Sequence, residues 1–132
     1  NDKSGYSTLS LFGLAESNYQ KKKIDEMILN YQTIYSNENI DIYYRNLSRI
    51  LSVLKDNKSS FDQQKLLLEP ILNSPSKLQI VAAELEVLLF IKFDKIKKAQ
   101  TAINILLKWS VLSFEQKNRL ELIHKIYKTN AK

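Results

Sequence analysis

A chain of 132 residues is long enough for one domain with a sizeable core, and its 2 Gly and 2 Pro are too few for an architecture of strands and tight turns. Its 44% hydrophobic and 26% charged residues exclude disorder, and the absence of Cys excludes disulfides and thiolate chemistry. The net charge of +6 is mostly Lys in a background rich in Asn and Ile, so it is weak evidence for an anionic partner; the Arg residues are Arg45, Arg49 and Arg119.

Seven helices can be read in chain order. The first is expected over Tyr6 to Ser17, with Leu11, Leu14 and Ala15 on one face and Gly13 tolerated inside it for close packing. The second, Lys21 to Tyr35, places Ile24, Met27, Ile28, Tyr31, Ile34 and Tyr35 on the i, i+3, i+4, i+7 rhythm of a buried stripe. The third, Ile40 to Lys55, buries Tyr43, Leu47, Ile50, Leu51 and Leu54 and turns Arg45, Arg49 and Ser52 elsewhere. A polar loop, Asp56-Asn57-Lys58-Ser59, leads to a fourth helix from Ser60, where Pro70 removes one backbone bond and is expected to kink it.

The fifth helix, Lys77 to Ile91, is apolar nearly all round, the pattern of a helix covered on two sides. Glu84 and Glu86 interrupt it, so it cannot span a bilayer, and no other run comes closer. The sixth covers Lys95 to Trp109, with Ile96, Ala99, Ile103, Leu106 and Leu107 inward. The seventh, Phe114 to Lys128, sets Leu120, Ile123, Ile126 and Tyr127 on one stripe and keeps a polar outer face, as suits an end cap. Ser60-x-x-Gln63, Ser76-x-x-Gln79 and Ser113-x-x-Gln116 read as capping boxes, in which the Ser oxygen and the Gln side chain each satisfy an open backbone N–H.

The hairpins begin near Tyr6, Ile40 and Lys77, 34 and 37 residues apart. A helix pair repeating at about 34 residues marks a solenoid of the tetratricopeptide type, in which each unit buries its apolar face against its neighbours. Ala15, Met27, Tyr31 and Ile34 in the first unit, and Val87, Ala99, Ile103 and Leu106 in the third, resemble the packing positions of tetratricopeptide units. The middle unit has a long loop and Gln64 at the small position. The expected fold is therefore an all-α right-handed α-α superhelix of three tetratricopeptide-like hairpins (residues 6–39, 40–75 and 76–109) plus a capping helix over 113–128.

Three further segments, Leu67-Leu68-Glu69-Pro70-Ile71-Leu72, Ala82-Ala83-Glu84-Leu85 and Lys117-Asn118-Arg119-Leu120-Glu121-Leu122-Ile123, resemble the tetratricopeptide-like domain of the YfgM-type ancillary subunits of the Sec translocon. The family's turn between paired helices becomes Lys92-Phe93-Asp94 here. The resemblance implies a bacterial, membrane-anchored protein of the inner membrane whose domain faces the periplasm. Its implied partners are the Sec translocon or periplasmic chaperones, in secretion or envelope chaperoning. The sequence begins at Asn1 and its one Met is Met27, which leaves room for an upstream signal or anchor. The resemblance implies one N-terminal membrane helix there; without it the domain would be cytoplasmic.

No catalytic residue, cofactor or metal ligand is assigned. His124 has no second His or Cys beside which it could bind zinc, and it reads as a helix-surface or core-edge histidine. Neither a strained nucleophile turn nor a phosphate-cradling loop is present. Lys21-Lys22-Lys23 reads as a solvated charge run, and Glu84 as a structural partner for a base on a neighbouring helix. The candidate site is a protein-binding groove lined by Phe12, Glu16 and Tyr19 from the first unit and Tyr44, Arg45, Ser48 and Arg49 from the second. There the Arg residues would hold a carboxylate of an extended peptide and the rings would anchor it. The alternative is that Phe12 and Tyr44 fill gaps between helices and the Arg residues form surface ion pairs. A nucleic-acid-binding helical domain and a self-associating module are the other function classes left open.

Overall fold

Helix formation follows the apolar periodicity closely. The computed structural model describes residues 2–130, with side chains over 7–128, and among these the structure is helical with no strand. The helices are α1 (Asp2–Gln20), α2 (Ile24–Tyr35), α3 (Ile42–Lys55), α4 (Phe61–Leu72), α5 (Gln79–Lys92), α6 (Ile96–Leu106) and α7 (Phe114–Asn130). They divide into two units, Asn1–Ile71 and Leu72–Lys132.

In the first unit α1 packs on α2 and α2 on α3. The stripe read from α2 is the core: Ile24, Met27, Tyr31 and Ile34 are buried with Ala15 of α1, and Leu11, Phe12, Ile28, Ile40 and Leu51 pack around them. Burial of each large side chain contributes about 1.5–3 kcal/mol. In the second unit α5 packs on α6 and α6 on α7.

α1 is longer at both ends than the periodicity predicts. Gln20 bonds Glu16 one turn back at 2.8 Å, and Asn18 bonds Asn30 of α2 at 2.7 Å. α2 starts later than expected because the lysine run makes the turn. Lys22 takes a left-handed conformation with φ 62°, and the N–H groups of Lys22 and Lys23 bond back to Tyr19 and Asn18. The α5–α6 turn repeats this arrangement: Asp94 has φ 59°, and Asp94 and Lys95 bond back to Ile91 and Phe90. Both are helix stops in which the two N–H groups beyond the end satisfy open carbonyls.

Two of the three capping boxes form. Ser60 and Gln63 exchange bonds of 2.9 and 3.2 Å, and Ser113 and Gln116 exchange bonds of 2.7 and 3.1 Å. The third does not. A tight turn puts the Gln79 N–H on the Ser76 carbonyl, and the Ser76 hydroxyl accepts from Leu78 instead. The Gln79 side chain then reaches the carbonyl of Leu72, the last residue of α4, at 3.0 Å. α4 itself runs through Pro70, which sits in its final turn.

Burial recurs with the spacing read from the repeats. Ala15, Met27, Tyr31 and Ile34 are buried, as are Val87, Ala99, Ile103 and Leu106. In the middle pair Ser52, Gln64, Leu68 and Ile71 are buried at the same intervals of 12, 4 and 3 residues. The match is poor in the sequence because Ser52 and Gln64, which hold the first two positions, are polar. Several residues expected inside are exposed: Leu14, Tyr43, Leu54 and Ile126. α5 buries Ala82, Ala83, Leu85, Val87, Leu89 and Phe90 but leaves Val81 and Leu88 in solvent.

Candidate functional site

The candidate groove residues all belong to the first unit. Asp41 caps α3 by accepting from the Tyr43 N–H at 2.8 Å, and this fixes the helix whose next turns carry Arg45, Ser48 and Arg49. Arg45 Nε donates to the carbonyl of Tyr35 at 3.0 Å, and Arg49 reaches the same oxygen at 3.5 Å. Arg49 also donates to Asn46 Oδ1 at 2.7 Å and lies 5.3 Å above the Tyr35 ring. The two guanidinium groups therefore converge on the C-terminus of α2, where open carbonyls carry partial negative charge.

Among the described residues neither Arg45 nor Arg49 pairs with a carboxylate. Burial, followed by the neighbouring charge of Arg45, lowers the Arg49 pKa from its ordinary value. Burial likewise raises the Tyr35 phenol, and the Arg49 charge opposes that shift. Ser48 lies beneath the pair; its hydroxyl is fully buried and donates to the Arg45 carbonyl at 2.7 Å, so it lines the helix contact and not the surface. Tyr44 stands at the exposed start of α3, edge-on to Tyr43 with ring centroids 5.4 Å apart.

Glu16 and Tyr19 gather around a residue that the sequence left unremarked. Lys55, at the end of α3, forms an ion pair and hydrogen bond with Glu16 and lies 4.8 Å above the Tyr19 ring. Its hydrogen bond with Lys55, then that with Gln20, holds the Glu16 carboxyl below its ordinary pKa, against the opposing effect of burial. Burial is the largest influence on Lys55 and pulls its pKa down, but the Glu16 bond and the Tyr31 phenol together raise it. Burial raises the Tyr31 phenol, and Lys55 opposes that. Phe12 packs into the core, its ring 6.2 Å from that of Tyr31 and tilted by 60°.

Four of the candidate residues thus fall into two centres along one helix. Arg45 and Arg49 meet Tyr35 toward one end of α3, and Glu16 and Tyr19 meet Lys55 at the other. Ser48 is buried against the Arg45 carbonyl, and Phe12 and Tyr44 belong to neither centre. Tyr31 and Tyr35, four residues apart on α2, link the two centres along one helix face. Further along the same edge Lys58 pairs with Asp25 at 3.3 Å. Tyr31, Tyr35 and Lys55 are the members that sequence reasoning missed; the signal available for Lys55 was its place one turn after Ser52.

The described residues contain no group of acidic, His or Cys side chains able to hold a metal ion. No described helix is long and apolar enough to cross a membrane. No family model, curated protein or solved structure matches the chain.

Proposed function

We propose that the chain is a non-enzymatic protein-interaction domain built of tetratricopeptide-like helix hairpins, and that the α3 edge of its first unit binds an extended protein segment. The observation that carries this reading is the Arg45–Arg49 pair. Two adjacent cations share a single carbonyl, have no carboxylate partner among the described residues, and lie beside the Tyr35 ring. A carboxylate from a bound segment would supply the missing countercharge, and the half-exposed Tyr19 and Tyr44 rings would give it apolar contact. The repeated burial spacing supports the hairpin array. The YfgM-type resemblance supports a periplasmic domain of an anchored inner-membrane protein, with the Sec translocon or a periplasmic chaperone as partner.

Fluorescence anisotropy with labelled acidic and neutral decapeptides tests the site. The acidic series should bind, and Arg45→Gln with Arg49→Gln should weaken it about tenfold while the helical circular dichroism persists. Equal binding of both series, or binding indifferent to the double substitution, would refute the proposed groove.

One observation favours a second reading. Arg45 and Arg49 lie on an edge that also carries Tyr35, and the exposed Tyr43–Tyr44 pair opens the same helix, a mixture of cations and rings suited to single-stranded nucleic acid. Oligonucleotide binding that falls steeply with added salt would select it over peptide capture.

A further inference from the structure

α3 and α5 each bury two faces. In α3 these carry Ser48 with Ser52, and Asn46 with Ile50 and Val53; in α5 they carry Leu85 with Leu89, and Ala83 with Val87 and Phe90. α7 buries one face only. Leu120 alone among its described residues is buried, with Gln116, Ile123, His124 and Tyr127 half-buried around it, and α6 is its packing neighbour. The end cap was expected to be polar outside. Instead its outer side carries Phe114, Leu122 and Ile126, which are 78%, 59% and 48% exposed. With Asn118 they form a row at four-residue intervals, the kind of ridge that packs into the groove of another helix.

We propose that this row docks the α7 of a second copy of the chain, antiparallel and across a two-fold axis. Two observations single out that occupant. First, α5 gains its cover from α6, which returns alongside it after the short turn at Asp94; a two-fold axis brings the second copy's α7 against the first in the same antiparallel sense. Second, an axis level with Leu120 sets Phe114 level with Ile126 of the second copy and Asn118 level with its Leu122. The same register sets Glu115 level with Lys125, acid facing base twice in the dimer.

A single helix of 17 residues gives an interface near the lower limit of stable ones, about 1,000 Å², so the dimer is weak, with a Kd of about 10–100 μM.

Sedimentation equilibrium of the full chain from about 1 to about 500 μM tests this. A monomer–dimer equilibrium is expected. Leu122→Glu, at an exposed position that leaves the fold intact, should abolish it. Glu115→Lys and Lys125→Glu should each weaken it about tenfold, and the two together should restore it. A monomer throughout the range overturns the proposal, as does a dimer unmoved by Leu122→Glu. Failure of the double reversal to restore association overturns the antiparallel register, and with it the proposal. A chain that stays monomeric but binds an added amphipathic peptide or anionic vesicles through Leu122 assigns the face to that other occupant. The peptide-binding edge on α3 is untouched by any of these outcomes.

Discussion

Arg45 reaches from the first turns of α3 to donate its Nε–H to the carbonyl of Tyr35, the last residue of α2, at 3.0 Å. α2 has no basic residue in its own last turn, so the charge that complements its dipole comes from the next helix, joined to it by a short polar turn. Arg45→Met should therefore destabilise the chain by about 1 kcal/mol in urea denaturation, with Arg49→Met costing somewhat less. The two like charges repel, and each single substitution relieves that repulsion. The double substitution should then cost more than the sum of the singles, which a double-mutant cycle measures directly.

The capping serines separate by geometry. Ser60→Ala and Ser113→Ala each break a reciprocal pair of bonds and should cost about 0.5–2 kcal/mol. Ser76 accepts one longer bond of 3.3 Å outside a box, so Ser76→Ala should cost distinctly less. Chemical denaturation of the three variants in parallel gives the ranking, and equal losses would contradict the geometry.

Periodicity was a good guide wherever one helix face meets one neighbour. Ile24, Met27, Tyr31 and Ile34 all lie in the core as their spacing predicts. It failed where helices meet on several sides, because hydropathy then no longer marks the contact. Ser48, Ser52, Asp56 and Gln64 are buried although polar, and Leu14 and Leu54 are exposed although apolar. Asp56 is inside because it orders its loop, accepting from the N–H groups of Lys58 and Ser59 at 2.8 and 2.9 Å. The candidate site was half legible. Arg45 and Arg49, four residues apart, could be placed on one face; their shared acceptor is a backbone carbonyl, which has no residue signature. Glu16 and Lys55 are 39 residues apart, and no local pattern links them.

Lys22 and Asp94 occupy equivalent turns in the left-handed region. A Cβ there costs roughly 1 kcal/mol, and aspartate tolerates the region better than lysine because its short side chain bonds locally. Lys22→Gly should thus raise stability by about 0.5–1 kcal/mol, and Asp94→Gly by less. Thermal melts at matched concentration check the order; a loss at Lys22 would mean that its side chain contributes more than its backbone strain costs.

The Glu16–Lys55 pair ties the end of α1 to the end of α3, and its pH dependence follows from the two shifts. The Glu16 pKa is depressed on folding from an ordinary 4.5, so its stabilisation is complete above that value and is lost as pH falls through the lowered folded value. Lys55 is raised from 10.5, so its share is complete below that value and is lost as pH climbs through the higher folded one. The pair therefore contributes across the whole range between, and each limb has its own probe. Glu16→Gln should lower stability at neutral pH, with the gap to the parent chain closing in acid. Lys55→Met should show a gap that narrows at both extremes. Denaturation midpoints followed from about pH 3 to about pH 11 measure this, and a gap for Glu16→Gln that persists unchanged in acid would show that the carboxylate charge is not what joins the two helices.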